Sequence, residues 1–403
     1  MILVIPIFVP HAGCPHDCCF CNQKIIRGSK KLPGGDEIAE KIGRYVGEAG
    51  RYGEVEIAFF GGSFTAIEPD MQEHYLKAAA PFLKVNGGFV DSIRISTRPD
   101  AIDQDTVKRL KKYSVRIVEL GAQSMDEKVL LLSDRGHTAD DTRRASELLK
   151  SSGFVLGLQT MTGLPGADEE SDVRTAHEIA ALRPDFVRIY PTVVVENTRL
   201  CRDFEAGLYK PMTTDDAVRL CSKLCEIYAA NGISVARIGL QSTDSITRSG
   251  SKSEVRGGPY HEAFGQLVRS YDALEAMTDA IRSLDSGESG GSGFGTLTAV
   301  TSRTYFSDVL GQKRANAQRL KAEFGFNEVN VSPDDAPCGD VFRKRAGRVI
   351  FRKTVDIDSE RYTNRLAKVT RAELCRREEP TGKDSFREVT DASLWIEFKS
   401  LRQ

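Results

Sequence analysis

The chain has 403 residues, 40% of them hydrophobic and 28% charged, and its formal net charge is −1. These values are ordinary for a soluble globular protein with one large domain and an appendage, and the near-neutral charge gives no general sign of nucleic-acid binding. No apolar stretch reaches the roughly 18 residues of a membrane-spanning helix, so we expect no membrane partner. The nine cysteines form no evenly spaced disulfide framework, which favours a reducing cytoplasm.

The chain begins with an apolar segment, MILVIPIFVP, that lacks a basic flank and a cleavage site of small residues. It therefore predicts a first strand at Ile2–Val9 rather than a signal peptide. A cysteine-rich loop follows this strand directly.

Three cysteines of that loop, Cys14, Cys18 and Cys21, form the spacing C-x3-C-x2-C. Cysteine thiolates are the usual ligands of iron–sulfur clusters, and three of them would leave one iron of a four-iron cluster free to bind a small molecule. Zinc is the competing interpretation, although a structural zinc site normally has four closed ligands. Cys19 offers an alternative third ligand, but the short C-x-C tether to Cys21 favours Cys18.

Beyond the cysteine loop, apolar β-branched runs alternate with longer amphipathic runs up to about residue 245. The predicted strands after the first are Glu54–Phe60, Ser92–Thr97, Val115–Leu120, Val155–Met161, Phe186–Tyr190 and Ser234–Gly239. The predicted helices are Asp36–Ala49, Pro69–Leu83, Gln104–Lys112, Ala139–Ser151, Glu169–Leu182 and Thr214–Ala230. This alternation predicts parallel strands joined by crossover helices in a full or partial barrel.

Polar or glycine-rich sequences follow four successive predicted strands. Function in such barrels collects on the loops after the strands, which is the face that the cysteine loop also occupies. The candidate residues in these loops are Gly61, Gly62, Ser63, Thr97, Arg98, Gln123, Gly163 and Leu164. Tyr190, at the end of the sixth strand, is either a substrate contact or a packed aromatic residue.

The remainder of the chain divides into an extension, a linker and a C-terminal region. Ser283–Phe294 is rich in glycine and serine and predicts a flexible linker or an exposed loop. Residues 296–403 predict a smaller mixed α/β region with a strand near Leu297–Thr301, a helix near Lys313–Phe324, a strand at Asn327–Val331 and shorter strands after it. Basic residues cluster from Arg343 to Lys353, either as a solvated surface or as a contact to a phosphate backbone.

The cysteine motif with Phe20, followed by Gly61, Gly62 and Ser63, resembles the radical S-adenosylmethionine superfamily. Within it, Phe60–Thr65 and Glu119–Ser124 resemble the branch of the Elongator catalytic subunit's radical half, which is similar to oxygen-independent coproporphyrinogen III oxidase. The resemblance implies an α/β fold, a partial TIM-type (β/α)6 barrel, over residues 1–245. It assigns residues 246–295 to the family extension and the linker.

The resemblance also implies the cofactors, a [4Fe–4S] cluster on the three cysteines and S-adenosylmethionine. By position, Gly61 and Gly62 would meet the methionine amino end, and Phe20, Gly163 and Leu164 the adenine. Thr97 and Arg98 would contact the ribose or the carboxylate, and Gln123 and Ser63 would make further cofactor contacts. The implied reaction is reductive cleavage to a 5′-deoxyadenosyl radical that abstracts hydrogen from an unidentified substrate.

For this reaction the resemblance points to tRNA or a tetrapyrrole as substrate and to a reductant such as flavodoxin or ferredoxin. The sequence identifies no catalytic side chain and no oligomeric state. The alternative hypothesis is a non-catalytic iron–sulfur or zinc-binding module with a regulatory or scaffolding role.

Overall fold

A computed structural model describes residues 2–9, 14, 17–21, 33–241, 253–285, 296–301 and 303–333, together with three strands at 351–355, 367–378 and 389–400. The chain forms two compact units. The first contains Met1–Ala217 and Asn231–Glu262, and the second contains Val218–Ala230 and Ala263–Gln403. No helix in the described part of the chain is long and apolar enough to cross a membrane.

The first unit is built on a seven-stranded parallel sheet with the order β1-β2-β3-β4-β5-β6-β8. Its strands are β1 (Ile2–Phe8), β2 (Glu54–Phe60), β3 (Ser92–Thr97), β4 (Val115–Gln123), β5 (Val155–Thr162), β6 (Phe186–Pro191) and β8 (Ser234–Ile238). A separate two-stranded ribbon pairs β7 (Val194–Val195) with β9 (Val255–Gly257). Sequential order with parallel pairing confirms the predicted α/β partial barrel, in which every strand ends at the same edge.

Crossover helices connect the strands. They are α1 (Gly35–Gly43), α2 (Val46–Ala49), α3 (Pro69–Ala79), α4 (Gln104–Lys112), α5 (Glu127–Leu132), α6 (Ala139–Ser151), α7 (Glu169–Ala181), α8 (Arg199–Glu205) and α9 (Thr214–Ala230). N-cap side chains fix where three of these helices begin. The side chains of Asp103, Thr138 and Asp168 accept hydrogen bonds from backbone N–H groups in the first turns of α4, α6 and α7.

Several boundaries differ from the sequence prediction. The predicted helix Asp36–Ala49 is two helices, α1 and α2, because the chain turns after Gly43, a weak helix former. β4 continues to Gln123 rather than ending at Leu120, because pairing with β5 resumes after an irregularity between Gly121 and Gln123. The short helices α5 and α8 carry too few turns to show a clear periodicity.

Charged side chains form the inner layer of the parallel sheet. Glu119 is fully buried, and its carboxylate accepts from Arg94 Nη1 at 2.8 Å, Arg188 Nη2 at 3.0 Å and Gln159 Nε2 at 2.9 Å. Arg94 also pairs with the buried Glu56 at 2.5 Å. The network joins residues from five neighbouring strands, β2 to β6. Each buried charge has a partner of opposite sign, which is the condition for keeping such charges inside a protein.

The second unit contains a five-stranded sheet with the order β11-β10-β14-β13-β12. Its elements after α9 are α10 (Phe264–Asp285), β10 (Thr296–Thr301), α11 (Phe306–Leu310), α12 (Ala315–Phe324), β11 (Glu328–Pro333), β12 (Phe351–Val355), β13 (Ala367–Glu378) and β14 (Val389–Ser400). Its apolar core includes Met277, Ile281, Leu297 and Leu320. A small mixed α/β C-terminal region was therefore predicted correctly.

Two details of this unit differ from the prediction. The helix α10 was not predicted, and it runs to Asp285, past the start of the predicted linker at Ser283, whose remaining residues lie outside the described part. The last two strands are twelve residues each rather than short. The basic cluster from Arg343 also lies outside the described residues, except for the backbone of β12.

Replacing Glu119 with Gln tests how much the buried charge network contributes to stability. The substitution leaves Arg94 and Arg188 without their shared counter-charge in a buried site, so we expect unfolding to become easier by about 3–5 kcal/mol. The matched control is Glu170→Ala, which removes only an exposed pair with Arg174 and should cost no more than about 1 kcal/mol. Urea denaturation of both variants measures this. Equal losses in the free energy of unfolding would show that the buried network stabilises the fold no more than a surface ion pair does.

Candidate functional site

A cavity of about 340 Å³ opens at the carboxyl edge of the parallel sheet. The loop after β1 contributes Cys14, Cys18, Phe20 and Cys21 to its lining. Residues of β2 to β6 and of the turns after them contribute most of the rest, and Arg135 comes from the segment after α5. Of the predicted contact residues, Phe20, Gly61, Gly62, Ser63, Thr97, Arg98 and Gln123 line this cavity. Three further polar side chains of the lining are Gln159, Arg188 and Tyr190.

Two arginines contact sulfur atoms of the cysteine loop. Arg98 Nη1 lies 3.7 Å from Cys14 Sγ, and Arg135 Nη1 lies 3.1 Å from Cys18 Sγ. Cysteine binds metal as a thiolate, and a neighbouring guanidinium would offset part of the negative charge of such a ligand. No three His, Cys, Asp or Glu side chains of the described residues are grouped to hold one metal ion. The three cysteines instead border one cavity, an arrangement that suits a polynuclear cluster in which different irons take different thiolates.

Arg135 lines the cavity but was not among the residues that the sequence predicted there. It is 6% exposed, and its Nη2 donates to the carbonyl oxygen of Gly121 at 2.6 Å. Its guanidinium carbon lies 6.0 Å from the centre of the Phe20 ring, within range of a cation–π contact. The residue follows the unpredicted helix α5, and its place on the carboxyl side of β4 was the only signal in the sequence.

Arg98 has most of its donors occupied by the protein. Its Nε and Nη2 donate to the Asp100 carboxylate at 2.9 and 3.1 Å, and Nη2 also donates to the carbonyl oxygen of Arg135 at 2.5 Å. The neighbouring Thr97 hydroxyl is likewise 2.6 Å from the hydroxyl of Thr65. In this structure both residues therefore brace the wall of the cavity.

Two other oxygen atoms of the lining have no protein partner in the structure. Gln123 Oε1 and Ser96 Oγ are buried without a hydrogen bond. Gln123 also adopts φ +65°, a left-handed conformation that costs energy for a residue with a side chain. Unpaired buried polar atoms are costly, so these two atoms are the best placed in the cavity to bind a polar ligand.

The glycines after β2 bring backbone close to the cavity. Gly61 has φ +106°, and a Cβ there would lie 2.5 Å from the Phe8 ring, so only glycine fits this turn. Gly62 and Ser63 follow it along the same wall. The sequence pattern therefore located a loop whose backbone lies beside the cavity.

Gly163 and Leu164, in contrast, are not among the residues that line the cavity. The N–H of Gly163 donates to Asp172 Oδ2 at 2.9 Å, and its carbonyl oxygen accepts from the Tyr209 hydroxyl at 2.6 Å. Leu164 is 2% exposed. Both backbone polar groups of Gly163 are therefore bonded within the protein. The contact of Gly163 and Leu164 with adenine stays a prediction.

Cys19 occupies an environment unlike that of the other three cysteines. It packs in an apolar cluster with Val194, Leu200 and Cys201, and it does not line the cavity. Burial raises the pKa of the Cys19 thiol to about 11, which disfavours the thiolate that a metal needs. This environment agrees with the choice of Cys18 over Cys19 as ligand.

Comparison with known proteins gives two matches to family descriptions. Residues 8–179 match the Radical SAM superfamily, and residues 184–274 match the Radical_SAM C-terminal domain. The chain is 31% identical over 206 residues to the tRNA uridine(34) acetyltransferase of Methanocaldococcus jannaschii, covering 46% of this chain and 37% of that protein. It is 26% identical over 189 residues to human Elongator complex protein 3, covering 42% and 35%.

Among solved structures, the archaeal Elp3 of Methanocaldococcus infernus with an N-terminal deletion superposes with a TM-score of 0.52 at 23% identity. This superposition covers 68% of this chain and 63% of that one, and it supports the fold. The chain spans little more than a third of the length of the two curated relatives that it matches.

The buried Asp172 predicts a dependence of stability on pH. Burial raises its pKa from 3.8 to about 7, so the folded state holds this proton more tightly than the unfolded chain does. The resulting stability is complete below about pH 4 and is lost as the pH rises through about 7. Asp172→Asn removes this titration and keeps an oxygen for the Gly163 N–H. At about pH 8 we expect the variant to be roughly 1–3 kcal/mol more stable than the native protein, and near pH 4 about equal to it.

Urea denaturation at the two pH values measures the difference. Asp172→Ala is the matched control, because it also removes the titration but leaves the Gly163 N–H without its acceptor, and it should fall below the Asn variant by about 1–2 kcal/mol at both pH values. A native protein as stable as Asp172→Asn at the higher pH would show that Asp172 is ionised without cost.

Proposed function

This chain belongs to the radical S-adenosylmethionine superfamily of enzymes, and on that premise we propose that it cleaves S-adenosylmethionine reductively and removes a hydrogen atom from an RNA substrate. The superfamily's cofactors are a [4Fe–4S] cluster and S-adenosylmethionine. The bound pair supplies one-electron cleavage of the sulfonium and the 5′-deoxyadenosyl radical that performs the abstraction. The observation that carries the proposal is a single cavity bordered by Cys14, Cys18 and Cys21 at the edge where five strands end.

The residues of the cavity fit this pair of cofactors. Cys14, Cys18 and Cys21 are the proposed cluster ligands, and the guanidinium groups of Arg98 and Arg135 offset part of their negative charge. The protein's part is to bind, orient and keep water away from the reacting groups, because the hard chemistry belongs to the cofactor.

The second cofactor has polar partners along the same wall. Gln123 Oε1 and Ser96 Oγ are free acceptors for the hydroxyl or amino groups of S-adenosylmethionine. The backbone of Gly61, Gly62 and Ser63 lies along the same cavity wall, which supports the proposed contact of the two glycines with the methionine amino end. Thr97 and Arg98 act on this cofactor indirectly in our proposal, by holding the wall.

RNA is favoured as substrate class by the relatives, one of which is described as a tRNA uridine(34) acetyltransferase. Acetyl transfer itself is not part of the proposal, because the match covers only 37% of that relative. A tetrapyrrole substrate has no comparable support. The required electron would come from a small carrier such as flavodoxin or ferredoxin in the cytoplasm.

Cofactor cleavage is tested with anaerobically reconstituted, dithionite-reduced protein. We expect the native protein to release 5′-deoxyadenosine from S-adenosylmethionine, measured by liquid chromatography. Cys18→Ala should lose both the cluster and cleavage, whereas the matched neighbour variant Cys19→Ala should keep both, because its thiol lies in the apolar cluster. Iron and sulfide analysis checks cluster content. A colourless protein that binds zinc instead would support the binding-module alternative.

The RNA substrate is tested by isotope transfer. Total tRNA from cells grown in deuterated medium should pass deuterium into 5′-deoxyadenosine, because the hydrogen abstracted comes from the substrate. Binding of the same tRNA should weaken by at least tenfold between about 50 and 200 mM salt, since each neutralised phosphate releases counterions. The control is deuterated tRNA that the enzyme has already modified in a prior reaction with unlabelled cofactor. Its substrate positions no longer carry deuterium that can be abstracted. Unlabelled product with every tRNA fraction would exclude tRNA as the substrate.

A further inference from the structure

Two arginines beside the cysteine loop, Arg98 and Arg135, differ in whether a carboxylate neutralises their charge. Arg98 is neutralised by Asp100, with two hydrogen bonds between the two side chains, and it reaches Cys14 Sγ only at 3.7 Å. Arg135 lies closer to its sulfur, 3.1 Å from Cys18 Sγ, and no carboxylate of the described residues lies within ion-pair distance of it. Its charge is therefore directed at the cysteine loop.

We propose that Arg135 sets the reduction potential of the cluster held by Cys14, Cys18 and Cys21, an inference that rests on the proposed function. Reduction adds one negative charge to a cluster. A nearby fixed positive charge favours the reduced form, and a hydrogen bond to a ligand sulfur acts in the same direction. The effect is strong at this site because Arg135 is 6% exposed, so water screens its charge poorly.

Arg135 is held in place by contacts that do not involve the sulfur. Nη2 donates to the Gly121 carbonyl oxygen at 2.6 Å, and the Phe20 ring lies beside the guanidinium. The backbone carbonyl of Arg135 in turn accepts from Arg98 Nη2 at 2.5 Å. These contacts fix the cation before a cofactor binds, so its field acts without a cost of reorganisation.

The test is a potentiometric titration of the reconstituted full-length protein without S-adenosylmethionine, followed by electron paramagnetic resonance. Omitting this cofactor separates an effect on the cluster from an effect on cofactor binding. For Arg135→Gln we expect the ratio of reduced to oxidised cluster at a fixed potential to fall at least tenfold, which is about 59 mV for one electron. Arg135→Lys keeps the charge and should lose less. Arg174→Gln removes an exposed arginine elsewhere in the same unit and should leave the potential unchanged.

An Arg135→Gln protein with normal iron content and an unchanged potential would overturn the inference. So would a variant in which only the affinity for S-adenosylmethionine falls. If Arg135→Gln takes up no iron, Arg135→His decides, because its positive charge disappears as the pH rises through the histidine range. Its potential should then fall more with pH than that of the native protein, and an equal fall would refute the proposal. Failure of the native protein to assemble a [4Fe–4S] cluster would refute the proposed function instead.

Discussion

The cavity depends on the carboxylate of Glu119, which is fully buried. Glu119 lies between the guanidinium groups of Arg94 and Arg188 and accepts from the amide of Gln159. A buried carboxylate needs partners that are equally fixed, so this one group constrains four neighbouring strands, β3 to β6. Gly157 contributes by having no side chain, since a Cβ there would lie 3.1 Å from Glu119 Cγ and 2.4 Å from the Phe186 ring. Arg188 and Gln159, which both donate to Glu119, form a polar part of the cavity lining.

Elsewhere in the cavity wall, side chains and backbone groups of the protein are hydrogen-bonded to one another. Arg98 ties Asp100, the Arg135 backbone and Cys14 together, and Arg135 ties Gly121 to Cys18. The result is a frame in which three loops that are distant in sequence share hydrogen bonds. Such a frame orients cysteine ligands and sets their electrostatic surroundings, which is as important to a metal centre as the ligands themselves.

Two polar atoms of this frame have no hydrogen-bond partner in the structure. Gln123 Oε1 and Ser96 Oγ are buried beside the cavity without a partner, and Gln123 bears a left-handed backbone conformation. A protein tolerates unpaired atoms and backbone strain together mainly where a ligand compensates for them. These two atoms and the three cysteines line the same cavity.

The sequence by itself determined the local part of this design. The alternation of apolar and amphipathic runs located β2, β3 and α4 to the residue, because strand and helix periodicities are properties of neighbouring residues. The spacing of Cys14, Cys18 and Cys21 indicated the cofactor, because one short loop carries all three thiols.

Only the tertiary structure decided which distant groups meet. Arg135 lies 117 positions from Cys18, so no local pattern links the guanidinium to the sulfur that it contacts. The same holds for Gly163, whose carbonyl oxygen accepts from the Tyr209 hydroxyl, 46 positions away. Contacts of this kind follow from strand register and from the path of the connecting loops, which bring together residues whose spacing in the chain carries no periodic signal.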